Sequence, residues 1–572
     1  MQRHSYLLII IVLAASVFGA VGQTPTPTPV PSDAPANVPG VQDVAPSYRS
    51  DARSLPDLGR VGVDVGRQRP LTLNEAIELA LTNNRDIEVS RKTFTMAEFE
   101  LRAARGFYQP RLTGQTYYDR STVPNISIFS NNPETTQGSF VGNAGLQFFG
   151  PSQGTVISGT FNNTRLSTDN PISILSPQFN SSLGFSVTQP LFRGRKFDQT
   201  RRVIEIAKAN ISLTDIQFRQ RSIEAVAGVQ RAYWDLTFAL RNLQVQRDGV
   251  RDAKIQLEHN RRLVDEGQLA PIDIIASETQ VANFEQAVYD ALNVVNQNEN
   301  VLKNLVSPNR SDSIWAEAIM PVESVEIAVP DATLSESMAL AIDNRPELEI
   351  NSAQRQLNTI DQRLFRDQKK PQIDFVASYT SSGIGGTQNP NFSPNFPTPC
   401  GIDPASPGCA QQQANLALLT GNPFSGIFAN RYPVLRVGVN FNLPLFGDKT
   451  AKANLGRSLV EAERLAIQRE QIEQTIQVEV RNALQAIRTR ESQLRSAAIA
   501  RENSVKQYES EQRKLDAGQS DIYKVLERQT ALTVARSNEL RARTELNKAI
   551  TDLQRATGDS LRANNVVPVL RK

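Results

Sequence analysis

Leu73-Asn74-Glu75-Ala76-Ile77-Glu78-Leu79-Ala80-Leu81 is answered later in the chain by Leu334-Ser335-Glu336-Ser337-Met338-Ala339-Leu340-Ala341-Ile342. The register continues without a gap: Asn83, Asp86, Ile87, Glu88 and Val89 fall opposite Asn344, Glu347, Leu348, Glu349 and Ile350, and Pro110 opposite Pro371. Further on, Gln189-Pro190-Leu191-Phe192 answers Leu443-Pro444-Leu445-Phe446. Val264-Asp265-Glu266-Gly267-Gln268 answers Leu515-Asp516-Ala517-Gly518-Gln519. Self-similarity on this scale sets the architecture before any local assignment. The chain is two copies of one unit, residues 71–310 and 332–560, with a linker at 311–331 and a tail at 561–572.

Both copies carry the same parts in the same order. An opening helix spans Leu71–Gly106 or Ala332–Lys370, with Thr72 and Thr333 as N-caps. A proline then ends it, because the ring fixes φ and removes an N–H. Alternating segments follow. Ile373, Phe375, Ala377 and Tyr379 share one face of a strand at 372–381, and Leu435, Val437, Val439, Phe441 and Leu443 one face at 433–443. In the first copy Leu183, Phe185 and Val187 alternate with Gly184, Ser186 and Thr188 within 183–191. The partner at 111–120 alternates less cleanly and is placed by the repeat register. A period of two with one apolar face is the pattern of a transmembrane barrel strand, and it equally suits one face of a soluble sheet.

After each strand pair runs a very long helical pattern, Phe197–Val264 and Thr450–Leu515. Val229, Leu236, Leu243, Val250 and Leu257 recur every seven residues, as do Val480, Ile487 and Leu494. A sustained heptad with charges between predicts helices packed side by side as in a coiled coil. About 65 residues at 1.5 Å each reach roughly 100 Å. Gly267 or Gly518 breaks the pattern, and a shorter helix, Ile272–Leu305 or Ile522–Ala556, returns. The opening and closing helices of each copy together match the long one, so two short helices stacked end to end can line it. The result is a rod with a β-hairpin at one end. One chain then offers about four strands, too few for a closed membrane barrel, which starts at eight. The barrel must be shared, and three copies would supply twelve strands.

The chain ends fit export. Arg3, an apolar run Leu7–Val17 and the small residues Ala20-Val21-Gly22 form a signal peptide at 1–22. The run is too short to cross a bilayer as a helix. A Pro-rich leader follows at 23–70. The chain has 62 basic against 59 acidic residues, a balance that gives no case for nucleic acid. Only two histidines occur, His4 and His259, so a multi-His metal site has no material; His259 has no evident Ser partner for a triad, and no cofactor or catalytic residue is indicated. Cys400 and Cys409 read either as a loop disulfide, in an oxidising compartment, or as two free thiols.

In this layout the chain resembles the TolC family of outer-membrane efflux and secretion channels. The resemblance rests on Leu73–Ile77, on Gln189–Phe192, on the two glycine tips and on the tandem duplication, in that order, from Leu71 to about Gly558. It implies a mainly α protein with membrane β-barrel strands: a homotrimer with a shared twelve-strand barrel in outer-membrane lipid and a long α-helical barrel in the periplasm. It further implies a passive exit duct, not an enzyme, docked by a periplasmic adaptor protein and an inner-membrane pump of an efflux or type I secretion system. Adaptor contacts would fall on the hairpin tips, here Gly267, Gln268 and Leu269, and Gly518 and Gln519. The family's closed periplasmic entrance is held by carboxylates and polar links beside the tips. Asp273 and Glu527 stand at matching acidic positions, whereas Lys524 and Ser520 depart from the pattern, an acid and a base respectively being expected there.

One region stands outside the family pattern. Between Thr122 and Ser182 two further alternating stretches, Ala144–Phe149 and Val156–Asn163, flank Gly150-Pro151-Ser152-Gln153-Gly154. They form either an external hairpin or an extra strand pair, and an extension of the surface loops is the expectation. The competing function is a structural coiled-coil protein of the cell envelope. That reading explains the heptads but not strand pairs at equivalent points of both copies.

Overall fold

Thr72 and Thr333 begin both copies in the same way. Thr72 accepts the Glu75 N–H at 3.1 Å, and Thr333 with Glu336 forms a full capping box. The computed structural model describes residues 59–124, 133–323, 328–393, 397–444, 447–567 and 570. The signal at 1–22, the leader up to residue 58, and Leu445 and Phe446 lie outside the described residues.

The first copy contains β1 (Asp64–Leu71), α1 (Leu73–Asn83), α2 (Arg85–Arg105), β2 (Arg111–Pro124), β3 (Glu134–Phe149), β4 (Val156–Thr168), β5 (Leu175–Pro190), α3 (Gln199–Asp265) and α4 (Ile272–Val306). β6 (Glu317–Pro321) lies between the copies. The second contains α5 (Leu334–Asn344), α6 (Pro346–Gln368), β7 (Gln372–Gln388), α7 (Pro399–Ile402), α8 (Pro407–Leu419), α9 (Pro423–Phe428), β8 (Tyr432–Asn442), α10 (Lys449–Asp516) and α11 (Ile522–Ala556), and α12 (Ser560–Ala563) follows.

The expected rod is present. α3 and α10 have 67 and 68 residues, so each reaches about 100 Å. Val229, Leu236, Leu243 and Leu257 of the predicted heptad are buried along α3, and Val480 and Ile487 along α10. The main core gathers at mid-rod, where Tyr233, Trp234 and Leu236 pack with Leu71, Ile77, Val295 and Ile319.

Four expectations need correction. Each opening helix is two helices, because Asn84 and Arg345, at the same repeat position, leave the helical region with ψ of 130° and 120°. Second, the end of the leader and the middle of the linker are structured: β1 and β6 pair in parallel as a two-stranded strap. Tyr233 fastens the strap, donating to the Leu71 carbonyl at 3.0 Å and accepting from the Glu323 N–H at 3.1 Å. Third, the tail set apart at 561–572 packs onto the first copy: Leu561 is buried in the main core and Val566 packs beside it. Fourth, the sheet holds six strands, in the order β2-β3-β4-β5-β7-β8, not four. The stretches assigned to a surface loop are β3 and β4, each paired in continuous register with both neighbours. Alternation alone could not place them, because one apolar face suits an external hairpin and a strand of the main sheet alike; their hydrogen-bonded neighbours put them within the sheet. β5 and β7 also run several residues past the expected ends at 183 and 381.

Candidate functional site

The sheet has two chemically distinct faces. One row across all six strands reads Leu112, Leu146, Gly159, Phe185, Tyr379 and Leu435. The row beside it, one residue along every strand, reads Arg111, Gln147, Ser158, Ser186, Ser378 and Arg436 on the opposite face. Successive side chains alternate sides, so one surface is aliphatic and aromatic and the other is lined by Ser, Thr, Asn and Gln. The apolar surface is open: Leu112, Leu435, Val437 and Phe441 are all more than 60% exposed. β2 and β8 each lack a partner on their outer side among the described residues, which leaves two edges with unpaired backbone groups.

Below the sheet, the two stacked helices of each copy meet at the Asn84/Arg345 position. Asn84 accepts from the Asp86 and Ile87 N–H groups to start α2, and its amide donates to the Leu305 carbonyl at 3.2 Å at the end of α4. Asn83 donates to Val306 at 3.1 Å. Arg345 performs the same joining with charge: it reaches Glu347 at 3.0 Å, Glu479 at 2.8 Å and the Ala556 carbonyl at 3.4 Å at the end of α11. Both residues satisfy carbonyls that a helix end leaves free. Sequence reading missed this joint: Asn84 alone gives little sign of a break, and Pro346, which opens α6 directly after Arg345 and does mark one, was passed over. The strap side of the same level holds a buried charge pair, Lys303 and Glu299, 0% and 1% exposed. Glu299 accepts from Ile319 N–H at 2.7 Å and from Arg60 at 3.1 Å, and Lys303 donates to the Trp315 carbonyl. Burial pushes the Lys303 ammonium below its usual range, against the pull of Glu299.

At the far end both long helices close with the same C-terminal geometry. Gly267 at φ +77° donates to the Val264 carbonyl at 2.9 Å, and Gln268 to Leu263 at 2.8 Å. Gly518 at φ +69° donates to Leu515 at 2.9 Å, and Gln519 to Lys514 at 2.8 Å. These are paired Schellman contacts, and the left-handed residue they need is glycine in both copies. Leu269 is half-buried, whereas Gln268, Gln519 and both glycines are exposed.

The residues expected at the entrance lie beside these turns, engaged within their own hairpins. Asp273 accepts the Ala270 N–H at 3.1 Å. Lys524 pairs with Asp521 at 3.2 Å. Ser520 donates to Glu511, which Lys514 also approaches. Glu527 is exposed on α11. The Ser520 hydroxyl, ahead of Lys514 and Lys524, holds the Glu511 carboxyl below the usual range, and the Lys524 backbone N–H does so for Asp521. Two features escaped sequence reading. Asn260 and Ser277, both buried, bond across α3 and α4 at 2.8 Å, with Gln256 extending the chain to Gln512 of α10. His259 meets Asp516 at 3.0 Å and ties the two tips together. Cys400 and Cys409 are bonded to each other in the α7–α8 segment above the sheet. Among the described residues no helix is long and apolar enough to cross a membrane, and no group of three metal-binding side chains occurs.

The profile of the outer membrane efflux protein family matches residues 156–307 and 338–559, one stretch in each copy. The chain belongs to this family. Solved outer-membrane channels share the fold at low sequence identity. The Campylobacter jejuni CmeC channel is 14% identical, with a TM-score of 0.59 over 85% of this chain and 86% of that one. The open-state Neisseria gonorrhoeae MtrE channel is 16% identical, at 0.55 over 86% and 89%. VceC from Vibrio cholerae is 12% identical, at 0.57 over 85% and 96%. No curated sequence matches the chain significantly. Family membership places this efflux protein in the outer membrane.

Proposed function

We propose that three copies of this efflux protein close into one tunnel, a passive exit duct whose periplasmic tips dock an adaptor protein joined to an inner-membrane pump. The observation that carries the reading is the open sheet. Its apolar face and unpaired edges cannot persist in a membrane unless β8 of one copy pairs with β2 of the next. Energy comes from the pump, and the duct contributes a sealed wall and a controllable entrance. At that entrance Asp273 and Glu527 form rings of like charge that favour cations, with Lys524 and Ser520 modulating them. Gly267, Gln268, Leu269, Gly518 and Gln519 meet the adaptor. A structural coiled-coil role would leave the apolar sheet face without a purpose.

Planar-bilayer recording tests the duct: discrete cation-preferring conductance is expected, and Asp273→Ala with Glu527→Ala should raise conductance or weaken the preference. Unchanged values would remove both acids from the entrance. Photo-crosslinking at positions 268 and 519 in cells should capture an adaptor-sized periplasmic protein. A detergent-purified protein that stays a single chain would overturn the proposal.

A further inference from the structure

The pair β3–β4 has no counterpart in the second copy, where β7 and β8 are joined through α7, α8 and α9. Four strands continue directly into the rod helices; β3 and β4 do not, and are joined to each other by a turn at 150–155. That turn sits at the rod end of the sheet. The Arg201 guanidinium donates to the Pro151 carbonyl at 3.2 Å, the Gln189 amide to the Gln153 carbonyl at 3.1 Å, and Phe149 rests 4.5 Å from Phe107. A Cβ on Gly154 would come within 2.7 Å of the Gly194 carbonyl oxygen, at the entry to α3. The hairpin therefore runs the full height of the sheet, from the periplasmic side outward, and is not a decoration of its outer edge. β3 and β4 have 16 and 13 residues, enough to cross the bilayer.

Their side chains follow the same division as the other strands. Phe148, Ile157, Val187, Ala377 and Val437 form one apolar row, and Gln115, Asn143, Asn162, Ser182, Ser382 and Tyr432 a row of the opposite face. An external hairpin has no reason to keep its apolar residues in line with the lipid-facing residues of its neighbours.

Building on the proposed trimer, we infer that β3 and β4 are membrane staves and that this channel closes as an eighteen-strand barrel, six strands from each copy. At a strand spacing of about 4.8 Å and a tilt of about 40°, eighteen strands enclose a backbone diameter of about 36 Å, against about 24 Å for twelve. The circumference, about 113 Å, matches a ring of twelve rod helices at roughly 8–10 Å spacing. Wall and rod thus join without narrowing, and the exit admits bulkier cargo than a twelve-strand exit of equal tilt.

The test uses full-length protein in liposomes, with one cysteine introduced per variant and labelled with an environment-sensitive fluorophore. Leu146→Cys and Ile157→Cys report the apolar face of the extra pair, Asn143→Cys and Thr160→Cys its polar face, and Val437→Cys is the reference stave. With nitroxide placed mid-chain in the lipid, labels at 146 and 157 should lose emission to the same fraction as at 437, while those at 143 and 160 yield to aqueous iodide instead. Quenching at 437 without quenching at 146 and 157 would put the hairpin outside the bilayer and overturn the inference alone. No lipid quenching at 437 would sink the membrane duct itself, and the inference with it.

Discussion

Replacing Val439 by arginine asks whether the apolar sheet face meets lipid. The β8 stripe runs from Leu435 to Leu443, and Val439 is its middle member, opposite Phe375 and 51% exposed in the single chain. At about 3.3 Å per residue and a tilt of about 40°, the stripe covers roughly 20 Å of an apolar band about 25 Å tall, so Val439 lies near the midplane. Arginine there costs about 2–4 kcal/mol, and three equivalent sites in a closed trimer bring this to about 6–12 kcal/mol. Asn440 lies one residue on, facing the other way and opposite Asp374. Asn440→Arg therefore stays on the polar face beside Asp374 and should cost no more than about 1 kcal/mol. The assay is the temperature at which heat-modifiable trimers collapse in outer-membrane extracts, together with trimer yield. A large drop for Val439→Arg and little change for Asn440→Arg is expected. Equal effects, or a tolerated Val439→Arg, would refute the assignment of faces.

Gly518→Ala and Gly558→Ala place alanine at φ +69° and +72°, but only at 558 does the added Cβ meet backbone, 2.9 Å from the Asn344 carbonyl oxygen. Gly518→Ala should cost about 1 kcal/mol and Gly558→Ala measurably more, read as hydrogen exchange at the tip and at the joint. Arg345→Met removes the charged link between α5, α6 and the end of α11, and should cost about 2 kcal/mol in denaturant melts, with exchange rising first around residue 556. The lowered Glu511 and Asp521 pKa values mean that their contributions are complete above the unfolded values near 4 and fade as pH falls through the lower folded ones. The α10–α11 tip should accordingly loosen only below about pH 4, seen as faster exchange near Ser520 while the sheet stays protected.

The duplication, the two long helices and the glycine tips were all legible in the sequence. Each is written in local order: a heptad, a proline, a glycine after the last turn. Residues such as Val229 and Val480 announce their burial by spacing alone, because helix periodicity repeats one face every seven residues. The six-strand sheet, the Asn84/Arg345 joint, the strap fastened by Tyr233 and the buried Lys303–Glu299 pair were decided only by tertiary structure. Their partners lie far apart in the chain, as Tyr233 and Leu71 do. Alternation shows that β3 and β4 each have an apolar side, but which strands flank them depends on backbone hydrogen bonds between distant segments. A lone Asn such as Asn84 likewise reads as an ordinary polar helix residue until the free carbonyls of another helix end are brought beside it.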